Sequence, residues 1–273
     1  MQNKTSRILL TGSNGQVGRE LQKTLPRLGH LLALDRHTLD LANPDAIRNT
    51  VREYQPDMIV NAAAYTAVDR AESEPELALA VNGTAPGVLA EEAQRLNALL
   101  VHYSTDYVFD GTKTGPYTES DEPNPLSVYG RTKLAGEQAI QAAGAVHYIF
   151  RTSWVYAAHG QNFVHTILRL ACERDELKIV DDQIGAPTWA RTIAETTATA
   201  LTAKHRDHSG LYHLTAAGAV TWFGFARAIL AEAKTLRPDL HVPELIPITT
   251  SEYPRPAQRP ANPRLDNARL QTA

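Results

Sequence analysis

Arg7-Ile8-Leu9-Leu10-Thr11-Gly12-Ser13-Asn14-Gly15-Gln16-Val17-Gly18 is a short apolar strand running straight into a GxxGxxG turn. Glycines at those spacings let the backbone turn tightly, approach a pyrophosphate and pack the next helix on a sheet, while the helix start offers unpaired N–H groups to phosphates. Taken alone, such a turn is also met as a plain loop or helix cap. Its surroundings favour a dinucleotide site. Helical spacing through residues 20–25 leads to a second apolar strand, 30–34, which ends in Asp35. This acid lies roughly 20 residues past the glycines, where a carboxylate accepts hydrogen bonds from an adenosine ribose. Arg36, beside it, suits a 2′-phosphate and equally suits solvent, so NADH and NADPH both stay open. Gly12, Gly15, Gln16, Val17 and Gly18 are the expected cofactor contacts of the turn, with Gly15 nearest, and Asp40 and Leu41 stand toward the adenine.

Farther along, strand 57–60 enters Asn61-Ala62-Ala63-Ala64-Tyr65-Thr66, small residues where a sheet's carboxyl edge meets ligand. Ala63, Ala64 and Tyr65 are cofactor candidates because a flat group can lie against such backbone; close helix packing is the other use of alanines. Strand 99–103 ends in Ser104-Thr105-Asp106-Tyr107-Val108-Phe109, whose hydroxyls face the same crevice. Tyr129 and Lys133 stand four residues apart in a segment that continues as a helix, hence on one face. A free tyrosine titrates near pH ~10, and acid–base work near neutrality calls for about 4 kcal/mol of differential stabilisation. A nearby lysine cation acts in that direction. The pair has work to do at a carbonyl only beside a hydride source, and the N-terminal site supplies one.

Strands alternating with helices through short connections imply an α/β fold built on a doubly wound parallel sheet, with 146–151 as its fifth strand. Beyond Tyr156 the rhythm loosens into a helix near 162–173, a strand at 177–180, a helix over 192–203 and a stretch at 210–214. We expect a dinucleotide-binding domain over 1–155 that carries Tyr129 and Lys133, and a smaller, mainly substrate-binding C-terminal lobe over 156–273, with interleaved segments. Proline gathers at 253–263, which cannot be one continuous helix.

The composition, 43% hydrophobic and 21% charged over 273 residues, is that of an ordinary globular chain. A net charge of -3 gives no basic footprint, so no nucleic-acid partner is expected. Neither a secretory signal nor a run able to span a bilayer is visible, which implies no membrane partner. Cys172, the single cysteine, sits in a helical pattern where it reads as a small buried hydrophobe, and a lone thiol fits a reducing cytoplasm. The 10 histidines show no HExxH or comparable spacing, so no metal is expected.

Four further strings carry a resemblance: Val60-Asn61-Ala62-Ala63-Ala64-Tyr65-Thr66-Ala67-Val68-Asp69, His102-Tyr103-Ser104-Thr105-Asp106-Tyr107-Val108-Phe109-Asp110-Gly111, Phe150-Arg151-Thr152-Ser153-Trp154-Val155-Tyr156 and Asp182-Gln183-Ile184-Gly185-Ala186-Pro187-Thr188. With GxxGxxG and YxxxK they resemble the extended short-chain dehydrogenase/reductase superfamily, and within it the dTDP-4-dehydrorhamnose reductase branch, nearly end to end. The resemblance implies a Rossmann-type fold and NAD(P)H-dependent reduction of the C4 ketone of dTDP-4-dehydro-L-rhamnose to dTDP-L-rhamnose for polysaccharide biosynthesis. It implies that Tyr129 protonates the ketone oxygen, that Lys133 binds the nicotinamide ribose and depresses the tyrosine's pKa, and that Thr105 orients the ketone. Val68, Asp106, Tyr107 and Trp154 match positions lining the sugar-nucleotide pocket, with core packing the alternative for Trp154. Arg259 is suited to the diphosphate, or is a solvated tail arginine.

Some members of that branch are dimers bridged by Mg²⁺ through glutamates. Arg191 occupies one of those places here, and the chain stops at Ala273, so the expectation is a monomer without a structural metal. Two other readings stand beside this one: a different nucleotide-sugar reductase or epimerase of the superfamily, and a non-catalytic NADP-binding regulatory subunit, against which the intact Thr105, Tyr129 and Lys133 speak.

Overall fold

The computed structural model describes residues 5–202 and 208–272. Met1 to Lys4, the expected helix end at Ala203, and Ala273 lie outside them. The first half alternates as expected: β1 (Arg7–Thr11), α1 (Gln16–Thr24), β2 (His30–Leu34), α2 (Pro44–Tyr54), β3 (Met58–Asn61), the short α3 (Val68–Ala71) and α4 (Pro75–Leu79), α5 (Ala85–Leu96), β4 (Leu99–Thr105), α6 (Val128–Ala143) and β5 (His147–Thr152). There follow β6 (Val155–Tyr156), α7 (Phe163–Glu173), β7 (Glu176–Val180), β8 (Ile184–Gly185), β9 (Thr188–Trp189), α8 (Ala190–Thr202), β10 (Gly210–His213), β11 (Val220–Thr221), α9 (Trp222–Leu236), β12 (Glu244–Ile248) and α10 (Ala268–Thr272).

Helix ends follow local chemistry. Asn43 caps α2 by accepting from the Asp45 and Ala46 N–H groups, with Pro44 in the first turn where its missing N–H is harmless. Ser127 caps α6 by accepting from the Gly130 N–H, and Gly144 closes that helix at φ 70°, in the left-handed region. A single π turn, Ala80–Thr84, joins α4 to α5 and turns Asn82 inward.

Six parallel strands form the main sheet in the order β10-β5-β4-β3-β1-β2. Leu9, Ile59, Leu100 and Ile149 pack on one face against α2, α5 and α6 through Ile47, Val51, Leu89 and Ile140. Ile8, Leu10, Val60, Val101 and Phe150 pack on the other against α1 and α8 through Leu21, Ile193 and Ala194. Both faces being covered, the strands read as apolar runs rather than alternations. Chain order reverses between β1 and β3, and at such a switch point the carboxyl ends of the strands open a crevice.

The segment 210–214 is a strand, but β10 pairs with β5 and completes the main sheet. With α8 packed against α1, the sheet body thus draws on residues beyond 155. The lobe itself consists of three two-stranded pairs, β7 with β12, β8 with β11 and β6 with β9, together with α7 and α9. Cys172 corrects the sequence expectation: it is exposed, because Ile167 and Ala171 mark the buried stripe of α7 and the next residue turns some 100° away from it. Among the described residues no helix is long and apolar enough to cross a membrane.

Candidate active site

A cavity of about 530 Å³ lies over the switch point, floored by the glycine turn and the ends of β1, β3, β4 and β5. Gly12 adopts φ 70°, and a Cβ there would fall 2.5 Å from the Ala63 nitrogen; a Cβ on Gly15 would meet the Gly12 carbonyl at 3.2 Å. Only glycine keeps this floor open. The N-cap of α1 is Gly15, which has no side chain to occupy the first-turn N–H groups, and Gly15, Gln16 and Val17 line the cavity, as an anion site at a helix start requires. Volume, bare N–H groups and backbone floor all fit a dinucleotide.

Of the expected cofactor contacts, Gly12, Gly15, Gln16, Val17, Asp35, Arg36, Asp40, Leu41, Ala63, Ala64, Tyr65, Tyr129 and Lys133 all line this cavity. Gly18 does not. It is buried behind the turn, where a Cβ would sit 2.1 Å from the Gly12 carbonyl, so it serves helix packing rather than ligand contact. Asn14 donates to Asp35 Oδ2 at 2.6 Å, and the Thr38 hydroxyl and the His37 N–H donate to Oδ1. The Thr38 hydrogen bonds hold the Asp35 carboxyl below its ordinary pKa. Arg36 is exposed at the rim and forms no ion pair among the described residues. Gln16 is held from the lobe side, accepting from Asn162 at 2.9 Å and donating to the Val155 carbonyl.

The backbone of Tyr65 is clamped from the π turn, where Asn82 accepts from its N–H at 2.8 Å and donates to its carbonyl at 3.0 Å. Its phenol donates to Glu74. Nothing in the sequence around Asn82 advertises this role; a mid-helix asparagine beside Pro86 is the only signal.

Tyr129 and Lys133 lie one turn apart on α6, as their spacing requires. Lys133 is fully buried, its Nζ donating to the Tyr103 carbonyl at 2.6 Å and lying 3.1 Å from His102 Nε2, and burial brings the amine down to about 8. Glu137, farther along α6, pulls it back upward; that carboxylate also takes the Ser104 hydroxyl and a bidentate Arg151 at 2.9 and 2.6 Å. Burial pushes the Tyr129 phenol up to about 12, and the neighbouring Thr105 hydroxyl works against this rise. The lysine nitrogen turns to His102 and the Tyr103 carbonyl, and burial sets the direction of the Tyr129 shift.

Thr105 ends β4, donates to Asp106 Oδ1 at 3.0 Å and accepts from the Tyr107 N–H at 3.1 Å. Asp106 is buried, takes the Ser153 hydroxyl at 2.9 Å, and is raised by burial to about 7. Tyr107 packs edge-on to Tyr129 with ring centroids 5.6 Å apart. Thr105, Asp106, Tyr107 and Tyr129 thus form one connected corner. Val68 opens α3 next to Asp69, and Asp69 accepts both guanidinium nitrogens of Arg259 at 3.0 Å. Arg259 is therefore no solvated tail residue, and its charge is already paired. The indole of Trp154, at φ 44°, stacks on Trp222 at 3.4 Å, and Gly185 lies so close to it that a Cβ there would fall 2.3 Å from Cε2. Two Arg151 and His213 atoms beside this corner, Nη1 and Nε2, are buried without a partner.

Residues 6–273 match the family model described as RmlD substrate binding domain. The chain is similar to dTDP-4-dehydrorhamnose reductase of Burkholderia thailandensis, 52% identical over 97% of this chain and 91% of the relative. It is also similar to dTDP-4-dehydrorhamnose reductase of Escherichia coli K12, 49% identical over 97% of this chain and 90% of the relative. The crystal structure of dTDP-4-dehydrorhamnose reductase from Bacillus anthracis in complex with NADP superposes with a TM-score of 0.89, at 35% identity, covering 98% of this chain and 92% of that one.

Proposed function

The chain belongs to the RmlD substrate binding domain family, and from that premise we propose that it reduces the C4 ketone of dTDP-4-dehydro-L-rhamnose with NADPH or NADH, giving dTDP-L-rhamnose. One observation carries the reading: Tyr129 and Lys133 line the same cavity as the Gly12 to Val17 turn, so a proton donor and a dinucleotide floor share one space.

A bound nicotinamide supplies the hydride, and Gly12, Gly15, Ala63 and Ala64 would hold the dinucleotide that carries it. Tyr129 keeps its proton at neutral pH, since its phenol is held near 12, and gives it to the ketone oxygen as charge develops there. That transfer runs downhill, because the alkoxide's conjugate acid is about as weak as water, near 15.7. Thr105, beside the Tyr129 phenol, would turn its O–H from Asp106 Oδ1 to the same oxygen. Asp106, Tyr107 and Trp154 would border the sugar, with Val68 and Arg259 toward the diphosphate. Binding there asks Arg259 to share its guanidinium between Asp69 and phosphate oxygens, which its several N–H donors allow. Exposed Arg36 beside Asp35 supports use of the 2′-phosphorylated cofactor.

We further propose a monomer without a bridging metal, in the cytoplasm and without a nucleic-acid partner. Arg191 supports the first point: it pairs with Glu195 at 2.8 Å, where members of the branch use a glutamate. The sheet body and the lobe are proposed as the dinucleotide-binding and the mainly substrate-binding parts. NADPH and NADH oxidation should be followed with freshly generated dTDP-4-dehydro-L-rhamnose and with UDP- and GDP-linked 4-ketosugars. Turnover confined to the dTDP sugar is expected; turnover confined to another nucleotide would move the assignment within the superfamily, and none at all would reject it.

A further inference from the structure

Between β6 and α7 the chain comes back from the lobe to the cavity as a strap, 157–162, of which Gly160 and Gln161 help to line the cavity wall. The proposed chemistry leaves this strap without a task. It is seated on Gln16, the residue that opens α1 in the glycine turn. Asn162 Nδ2 donates to Gln16 Oε1 at 2.9 Å, and Gln16 Nε2 donates to the Val155 carbonyl just ahead of the strap at 3.3 Å. Gly160, at φ 76°, makes a bend that glycine tolerates, and a Cβ there would meet Gln16 Cγ at 3.4 Å. One turn farther along α1, the buried Glu20 carboxylate lies 3.6 Å from His159 Nδ1. Gly160 and Gln161 are themselves exposed, so packing does not hold them in place.

The polarity of this seat is fixed by the backbone. Asn162 is the N-cap of α7, and its Oδ1 accepts the His165 N–H at 3.1 Å, a group that can only donate. Its NH₂ side therefore faces the strap, where it reaches the Ala157 carbonyl at 2.9 Å as well as Gln16. Gln16 must then turn its oxygen to Asn162 and its own NH₂ to Val155, so the side-chain amide is engaged at both ends. Asn162 thus does two jobs with different atoms: Oδ1 starts a helix of the lobe, and Nδ2 ties the strap to the dinucleotide turn.

The glycine turn and the strap line the same cavity, so a dinucleotide bound on the first lies against the second. We propose that Asn162 is a positioning residue for the cofactor, whose Nδ2 latches strap 157–162 onto Gln16 and so keeps Gly160 and Gln161 closed over a bound dinucleotide until the latch opens. The inference rests on the dinucleotide site of the proposed function and not on the sugar that is reduced.

Asn162→Asp separates the two jobs. A carboxylate still accepts the His165 N–H and caps α7, but it cannot donate, and it sets a second acceptor against Gln16 Oε1. Bound NADPH is chased with excess NADP⁺ in a stopped-flow instrument and the loss of NADPH emission is timed. Release at least about fivefold faster than from the unaltered chain is expected, with association no slower, because a strap that opens more readily eases both passages. Release within about twofold of the parent's, or faster release accompanied by slower association, overturns the inference. Hydrogen exchange on the unaltered chain decides if the variant fails to fold: amides of 157–162 should become protected when NADPH is added, and unchanged exchange there overturns the inference as well. A latch that behaves as expected in a chain without turnover on any 4-ketosugar would sink the reductase reading and leave the role of Asn162 standing.

Discussion

Replacing Thr105 with valine isolates one hydroxyl at the reacting corner, since the two side chains have nearly the same volume. Two hydrogen bonds go with it, the acceptor for the Tyr107 N–H and the donor to Asp106 Oδ1, together with the polar neighbour of the Tyr129 phenol. An orphaned buried N–H costs about 1–3 kcal/mol, and a chain of this size loses roughly 2–4 °C of melting temperature per kcal/mol. Loss of a preorganised donor at a developing oxyanion lowers kcat by about 10² to 10³, or roughly 2.7–4 kcal/mol. Because the bond matters most in the transition state, kcat should fall with KM for the sugar little changed. Thr105→Ser, which keeps the hydroxyl, should recover most of the rate. Steady-state NADPH oxidation and a thermal melt on the same samples give both quantities. A Thr105→Val enzyme turning over within about twofold of the parent, while Tyr129→Phe is inactive, would refute the role of this hydroxyl.

Asp106, raised from 3.8 to about 7 in the fold, makes the folded state bind the extra proton, so stability is full below about 4 and declines as pH rises toward 7. Denaturant unfolding at pH 4 and pH 8 should show Asp106→Asn losing this decline; parallel curves would contradict it. Glu137→Ala strands the buried Arg151 guanidinium and should cost about 3–5 kcal/mol in chemical denaturation, with the pair replaced together by methionines costing far less. Gly12→Ala combines strain at φ 70° with a 2.5 Å clash on Ala63, and cofactor titration should show at least about tenfold weaker binding in a chain that still folds. Light scattering should return a monomer mass with and without Mg²⁺, and a magnesium-dependent dimer would remove that proposal.

Features encoded in a few adjacent residues were readable. β1 with its glycine turn, β2 ending in Asp35, and Tyr129 and Lys133 on α6 are local patterns of fixed period, and they fall where the spacing puts them. What escaped the sequence depends on partners far apart in the chain. Four residues of β10 look the same in a lobe or at a sheet edge, and only its pairing with β5 decides. The Arg259–Asp69 bridge spans 190 residues and the Asn61–His102 contact 41, so neither leaves a trace in any window. Lys133 was expected to acidify Tyr129 from spacing alone. Which way its nitrogen points is set by β4, not by α6.

The stacked indoles have a practical consequence. Trp154 is rooted at the end of β5 and Trp222 opens α9, so one ring travels with the sheet body and the other with the lobe. Parallel rings 3.4 Å apart couple their excited states, and that coupling decays within a few ångströms of separation. Of the chain's three tryptophans only Trp189, 41% exposed, would add an unrelated signal. Intrinsic emission, with Trp189 replaced by phenylalanine, therefore serves as a label-free gauge of whether the two parts shift against each other during turnover.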